Sequence, residues 1–228
     1  MAPREEDLKR DTNSQISITV LKTTEGKHLA KRHQPGRTLP YDHAKYFKPK
    51  IVHIEGFNDL CDLLQRLETG TDSIIVAGSL TEAASTKPKI RRLLHAKNCD
   101  PATLCDAGSR VAHFDADEFV IPPGFGWHDP EALAFWTWSQ LIKRVPALDG
   151  VSAFWQASSS AGVTEKFHLA KFHFWALLDQ HLKSDRLNTL YKLAGTDTSL
   201  ANAAQPQYIA RPLFEGLPDP LKGLPRSG

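Results

Sequence analysis

Asp115 and Asp117 stand one small residue apart in "HFDADEFV" (113–120), with "RVAHF" leading in and "EFVIP" leading out. Side chains on a β-strand alternate, so both carboxylates point to one face. Like charges placed so repel unless a proton or a cation lies between them. Hard oxygen donors at this spacing suit Mg²⁺ or Mn²⁺, ions that commonly also take substrate phosphates as ligands. In phosphoryl transfer such ions activate the attacking oxygen and stabilise the leaving one. The bland alternative is a solvated acid pair at a strand end; the apolar flanks favour an interior strand.

A second constellation is "WQASSSAGVTEKFHLAKFHFWALLD" (155–179). Ser158, Ser159 and Ser160 before Gly162 offer hydroxyls and backbone N–H groups that can cradle phosphate oxygens. Lys171 and His173 share a strand face, an arrangement that is costly without an anion, while Phe172, Phe174 and Trp175 bury the strand. Plain turn chemistry and a structural histidine are the competing readings. Two basic clusters, "KHLAKRHQPGR" (27–37) and "KPKIRR" (87–92), concentrate positive charge. Arg91 and Arg92 could hold a template phosphate or a nucleotide's tail, or belong to a basic surface loop. His95, Cys99, Cys105 and His113 have loosely zinc-like spacing, but the interval between the cysteines is wide for a knuckle. The tryptophans at 127, 136, 138, 155 and 175 could stack bases; on periodic elements they are mostly core.

These residues need a scaffold. Of the 228 residues 41% are hydrophobic and 24% charged, which suits one large domain. No run of about 18 apolar residues crosses a membrane. The start "MAPREEDLKRDTNSQ" lacks the apolar region of a secretion signal, and three sparse cysteines suit a reducing cytoplasm. "ISITVL" (16–21), "IVHIEG" (51–56) and "SIIVAG" (73–78) read as strands. "FNDLCDLLQRLETG" (57–70) reads as a helix stopped by Gly70. The segment 27–50 reads as largely loop, and 79–109 as irregular and basic. Asp129 caps a helix over about 130–145 with Pro130 at its first position. Strands follow over 151–157 and 170–179, then a helix over 183–194 ending at Gly195. Residues 1–14 read as mobile, and 205–228 as a Pro-rich tail or linker.

An apolar strand carrying D-x-D, a Ser-rich turn, a strand with a histidine among apolar neighbours, and a later acid come in that order. Over roughly residues 70–220 this resembles the archaeo-eukaryotic primase superfamily, most of all the primase-polymerase modules of phage, plasmid and integrative-element replication proteins. The stretch "QPQYIARPLFEGLPDP" (205–220) is similar to the segment after the last acid in element-encoded members. The resemblance implies that Asp115 and Asp117 are catalytic metal-binding acids and that His173 touches an incoming nucleotide's triphosphate. It implies Asp197, in "GTDTSL", as the third metal acid, with Asp179 and Asp185 as competitors. Lys171 stands where the superfamily commonly has Ser, so hydroxyl contacts to phosphate fall to Ser158, Ser159 and Ser160. The implied fold is α+β: an RRM-like antiparallel sheet backed by helices over 79–204, preceded by a small αβ unit over 15–78. The implied activity is that of a DNA primase-polymerase, a nucleotidyltransferase using Mg²⁺ or Mn²⁺. Its partners would be a single-stranded DNA template, nucleoside triphosphates and a replicative helicase on the same or another chain. A metal-dependent nickase with a tyrosine nucleophile, for which Tyr208 is the late candidate, and a non-catalytic nucleic-acid-binding module are the rivals.

Overall fold

Alternation of apolar and polar side chains organises most of the chain, and a computed structural model describes residues 15–228. The expectation for 1–14 lies outside the described residues. In chain order the elements are β1 (Ile16–Thr23), β2 (Arg32–Gln34), β3 (Arg37–Leu39), β4 (Phe47–Ile54), α1 (Phe57–Glu68), β5 (Ser73–Val76), β6 (Ser79–Leu80) and α2 (Glu82–Ser85). They continue with β7 (Leu104–Cys105), β8 (Ser109–Val120), α3 (Pro130–Arg144), β9 (Ala153–Ala157), β10 (Leu169–Leu182), α4 (Ser184–Ala194), β11 (Gln207–Tyr208) and β12 (Leu213–Phe214). The fold is therefore α+β, with four α-helices among the described residues and largely antiparallel sheets.

The sheet that carries the candidate acids is β8–β10–β9, antiparallel throughout. Ala112, Phe114 and Ala116 of β8 and Ala170, Phe172, Phe174 and Ala176 of β10 form its first face. They pack on Leu133, Ala134 and Leu141 of α3 and on Leu187, Tyr191 and Ala194 of α4. The start of α3 follows its sequence: Asp129 Oδ1 accepts the N–H of Ala132 at 3.0 Å, and Pro130 needs no hydrogen-bond acceptor there. Gly195 ends α4 in the left-handed region, φ 66°, where any side chain would also meet the Arg144 guanidinium.

The second face of the same sheet is apolar at one end only. There Val111, Phe154 and Trp175 join Ile16, Ile18 and Val20 of β1 and Leu60, Leu63 and Leu64 of α1 in one core. Each such large side chain, fully buried, contributes about 1.5–3 kcal/mol. β1 is central in the four-stranded sheet β11–β5–β1–β4. Its other face, through Leu21, meets Phe47, Ile74, Ile90 and Leu104.

Three expectations need correction. The segment 27–50 is not wholly loop: it holds the β2–β3 hairpin, and β4 begins at Phe47, four residues before the apolar run. β10 does not end near Asp179 but runs to Leu182. The tail is irregular in shape yet docked: β11 pairs with β5, β12 pairs in parallel with β2, and the backbones of Trp155 and Gly228 exchange both hydrogen bonds. No helix among the described residues is long and apolar enough to cross a membrane.

Candidate functional site

Where the shared core ends, the second face of the β8–β10–β9 sheet turns polar row by row. His113, Trp175 and Phe154 stand side by side; next come Asp115, His173 and Gln156. Asp117 and Lys171 form the third row, flanked by Ser158, whose N–H donates to the Lys171 carbonyl at 2.9 Å. The pairing slips by one residue between Ala170 and Phe172, so Asp117 and Glu118 together oppose Lys171. Such a bulge re-aims the side chains around it. The same-face placement of the two aspartates, and of Lys171 with His173, is as the strand period requires.

The geometry is tight. Lys171 Nζ lies 2.7 Å from Asp117 Oδ2; the lysine is buried while its partner carboxylate keeps 39% of its surface. His173 Nε2 is 3.6 Å from Asp115 Oδ1. His113 stacks on Trp175, ring centroids 3.9 Å apart, and meets the His173 ring edge-on at 4.9 Å. On the outer side of β8 the Tyr191 hydroxyl accepts the His113 N–H at 3.0 Å.

Electrostatics follow from burial beside like charge. Burial first, then the charge of Asp117 and a hydrogen bond shared with it, raise Asp115 to about 8, so the pair holds one proton at neutral pH. Burial pushes His173 down to about 4 against the pull of Asp117, and Lys31 and Lys171 add to the depression. His113 is held well below its ordinary range by burial and by His173. Both imidazoles are therefore neutral without ligand, and positive charge comes from lysines.

Several buried polar atoms here have no hydrogen-bond partner: Asp115 Oδ1, Asp117 Oδ1, Ser158 Oγ, His173 Nδ1 and both ring nitrogens of His113. Buried polar atoms in folded proteins are nearly always satisfied, so a group of orphans in one place calls for a ligand. In the metal-free fold a proton held between Asp115 and Asp117 relieves their repulsion; a hard divalent cation, which needs only one or two protein carboxylates when phosphates complete its shell, is the other species that can do so.

The roof over this face is signalled in the sequence only by the basic cluster 27–37. The Lys31 ammonium is 5.4 Å above the Tyr41 ring, and its pKa is lowered by burial while Asp117 and Asp115 pull it up. Tyr41 hydrogen-bonds Ser159 and is pushed up to about 12, mainly by burial. His33 Nε2 is 2.7 Å from the Ser159 carbonyl oxygen and ties the β2–β3 hairpin to the serine turn. Ser160 is half-buried and accepts the Val163 N–H through its carbonyl.

The remaining candidates separate. Asp197 is exposed; its carboxylate accepts the Ser199 N–H and hydroxyl, both at 2.8 Å, yet its charge still contributes to raising Asp115. Among the described residues no group of three or more His, Cys, Asp or Glu converges as a metal cage. Asp179 lies six positions beyond His173 on β10, about 20 Å along the strand, too far to join them. Asp185 sits in the first turn of α4. His95 and Cys105 line one cavity of about 880 Å³, whereas His113 is buried against Trp175, which disperses the zinc-like set. Arg91 pairs with Asp100 at 2.6 Å, and Arg92 donates to the Ala204 carbonyl. Trp127, Trp155 and Trp175 are core, and Trp136 and Trp138 are half-buried at its margin.

Compared with family models, with curated proteins and with solved structures, the chain finds no match in any of the three.

Proposed function

We propose that this chain is a metal-dependent nucleotidyltransferase, a DNA primase-polymerase core that extends or starts a strand on a single-stranded template. One observation carries the reading: Asp115 and Asp117, the unpartnered Ser158 Oγ and His173 Nδ1, and Lys171 lie in adjoining rows on one face of the sheet, with Lys31 close enough for both acids to act on it. An acid pair beside basic and hydroxyl groups suits a cation bridged to a polyphosphate better than it suits a peptide, a sugar or a lipid. The finer fold belongs to the same reading: β8–β10–β9, extended by the antiparallel pairing of Gln156 with Ser227 and backed by α3 and α4, would be the RRM-like core. The four-stranded sheet with α1 would be the N-terminal αβ unit.

Asp115 and Asp117 would hold Mg²⁺ or Mn²⁺, with Asp197 near enough to add charge and, through water, order its shell. The bound cation would supply Lewis-acid polarisation of the α-phosphate and of the attacking hydroxyl. The chain's own work is positioning. Lys171 gives up Asp117 and turns its ammonium to a phosphate oxygen. Lys31 closes from the roof with a second positive charge. His173, neutral before binding, donates a hydrogen bond from the ring nitrogen that the polyphosphate meets. Ser158 and Ser159 offer hydroxyls from the turn. Water displaced from this face by the bound ligand would strengthen each of these contacts. The nickase rival is not favoured, because burial pushes the hydroxyls of both Tyr41 and the late candidate Tyr208 up, away from the phenolate a nucleophile needs.

Calorimetric titration tests the proposal. Mn²⁺ with a non-hydrolysable deoxynucleoside triphosphate should bind the wild type as a pair, each tightening the other, and Asp115→Asn/Asp117→Asn should abolish the coupling. Equal Mn²⁺-dependent nucleotide binding by the double variant would overturn it.

A further inference from the structure

A second basic site lies beyond the tyrosine roof. His43, Lys45 and Phe47 on one segment and Arg91, Arg92 and Leu93 on another line a cleft of about 290 Å³. The two segments are locked together because Phe47 and Ile90 exchange both backbone hydrogen bonds, at 2.8 Å each. Beside the cleft, Tyr46 has the Lys89 ammonium 4.1 Å and the Lys45 ammonium 5.3 Å from its ring centre. Arg91 is offset by Asp100. Lys45, Lys89 and Arg92 have no carboxylate within ion-pair distance among the described residues, so the cleft keeps net positive charge.

The cleft is joined to the acid pair by one aromatic step. Tyr41, under the Lys31 ammonium and within electrostatic reach of Asp115 and Asp117, stacks on Tyr208 with centroids 3.6 Å apart and planes 1° from parallel. Tyr208 in turn packs against the core cluster of Phe47 and Ile90 that forms the cleft wall. Cations interleaved with aromatic rings along a line are how sequence-tolerant single-strand grooves are built, phosphates on the cations and bases on the rings. A duplex about 20 Å across does not enter a cleft of this volume.

We infer that the cleft between residues 43–47 and 89–93 binds the phosphodiester backbone of a single nucleic-acid strand and leads it past the edge of the stacked Tyr208–Tyr41 pair toward the acid pair. The strand's role as template rests on the transferase reading; its binding does not. Lys45 and Lys89 are exposed and make no ion pair, so Lys45→Ala/Lys89→Ala leaves the fold intact and removes two phosphate contacts.

The test is fluorescence anisotropy of a labelled oligothymidylate over a salt series. Each lost contact lowers the slope of log affinity against log salt by about 0.7 for single strands. The double variant should show a slope shallower by about 1.4 and weaker binding, with Mn²⁺-dependent nucleotide binding unchanged. An unchanged slope, no oligothymidylate binding by the wild type, or equal competition by a duplex of the same length would overturn the inference. If strand binding behaves as expected and no strand is extended, the transferase reading fails and the cleft stands.

Discussion

Two carboxylates that share one proton define the residue scale. Asp115 keeps its proton up to about pH 8 in the metal-free fold, whereas an unfolded aspartate loses it near 4. Between those values the folded chain binds the extra proton, so this group makes stability fall as pH rises through the window. In EDTA, melting curves should show Asp115→Asn stabilising the protein most near pH 8 and scarcely below about pH 4. An Asp115→Asn benefit that is the same at every pH would contradict the shared proton. Lys171 poses the opposite case. Its ammonium is buried on Asp117, so Lys171→Met should cost on the order of 2 kcal/mol, between an exposed pair and a fully buried one. Nucleotide KM should rise in the same variant, and denaturant unfolding together with steady-state kinetics checks both. The types of these residues could be read directly from the sequence. Lys31 and Tyr41 could not, since their approach to the acids depends on a hairpin folding back over more than 70 residues of chain.

At the scale of elements, the bulge in β8 is the device that sets Asp117 and Glu118 against Lys171. Strand period alone puts Asp115 and Asp117 on one face, and that much was legible. An inserted residue leaves no signature in an apolar–polar pattern this short, so the slip was not. Deleting Glu118 should restore a regular ladder and leave circular dichroism and melting close to wild type. Nucleotide transfer should drop on the order of 100-fold, because misplacement by an ångström near reacting groups costs that much. Retained activity in the deletion would show that the bulge does not aim the site. The helices were legible for a simpler reason: α3 has an Asp-Pro start and α4 a glycine stop, both local signals. Asp197 comes after that glycine as expected, but it spends its carboxylate on Ser199, a contact that residue order does not disclose.

At the scale of the whole molecule, the tail is structural. Gln207 and Tyr208 extend the four-stranded sheet, and residues 226–228 line β9. Buried Glu68 is met by Arg211 at 3.0 Å and by the Ser227 hydroxyl at 2.6 Å. Proline richness suggested a linker; it is the edge positions of three sheets that give so irregular a segment its docking sites, and those exist only once distant strands have paired. Ending the chain at residue 204 should therefore lower the melting temperature sharply or render the protein insoluble, and an unchanged melting curve would refute this. The same docking brings Tyr208 onto Tyr41 and so finishes the roof of the site. The proposed nucleotide transfer is centred on the acid pair. Primer extension on a primed single-stranded template, with deoxynucleoside triphosphates and Mg²⁺ or Mn²⁺, measures that most directly. The wild type should lengthen the primer only with the cation, and Asp115→Asn/Asp117→Asn should leave it unextended; extension by the double variant, or none by the wild type with either cation, would contradict the account.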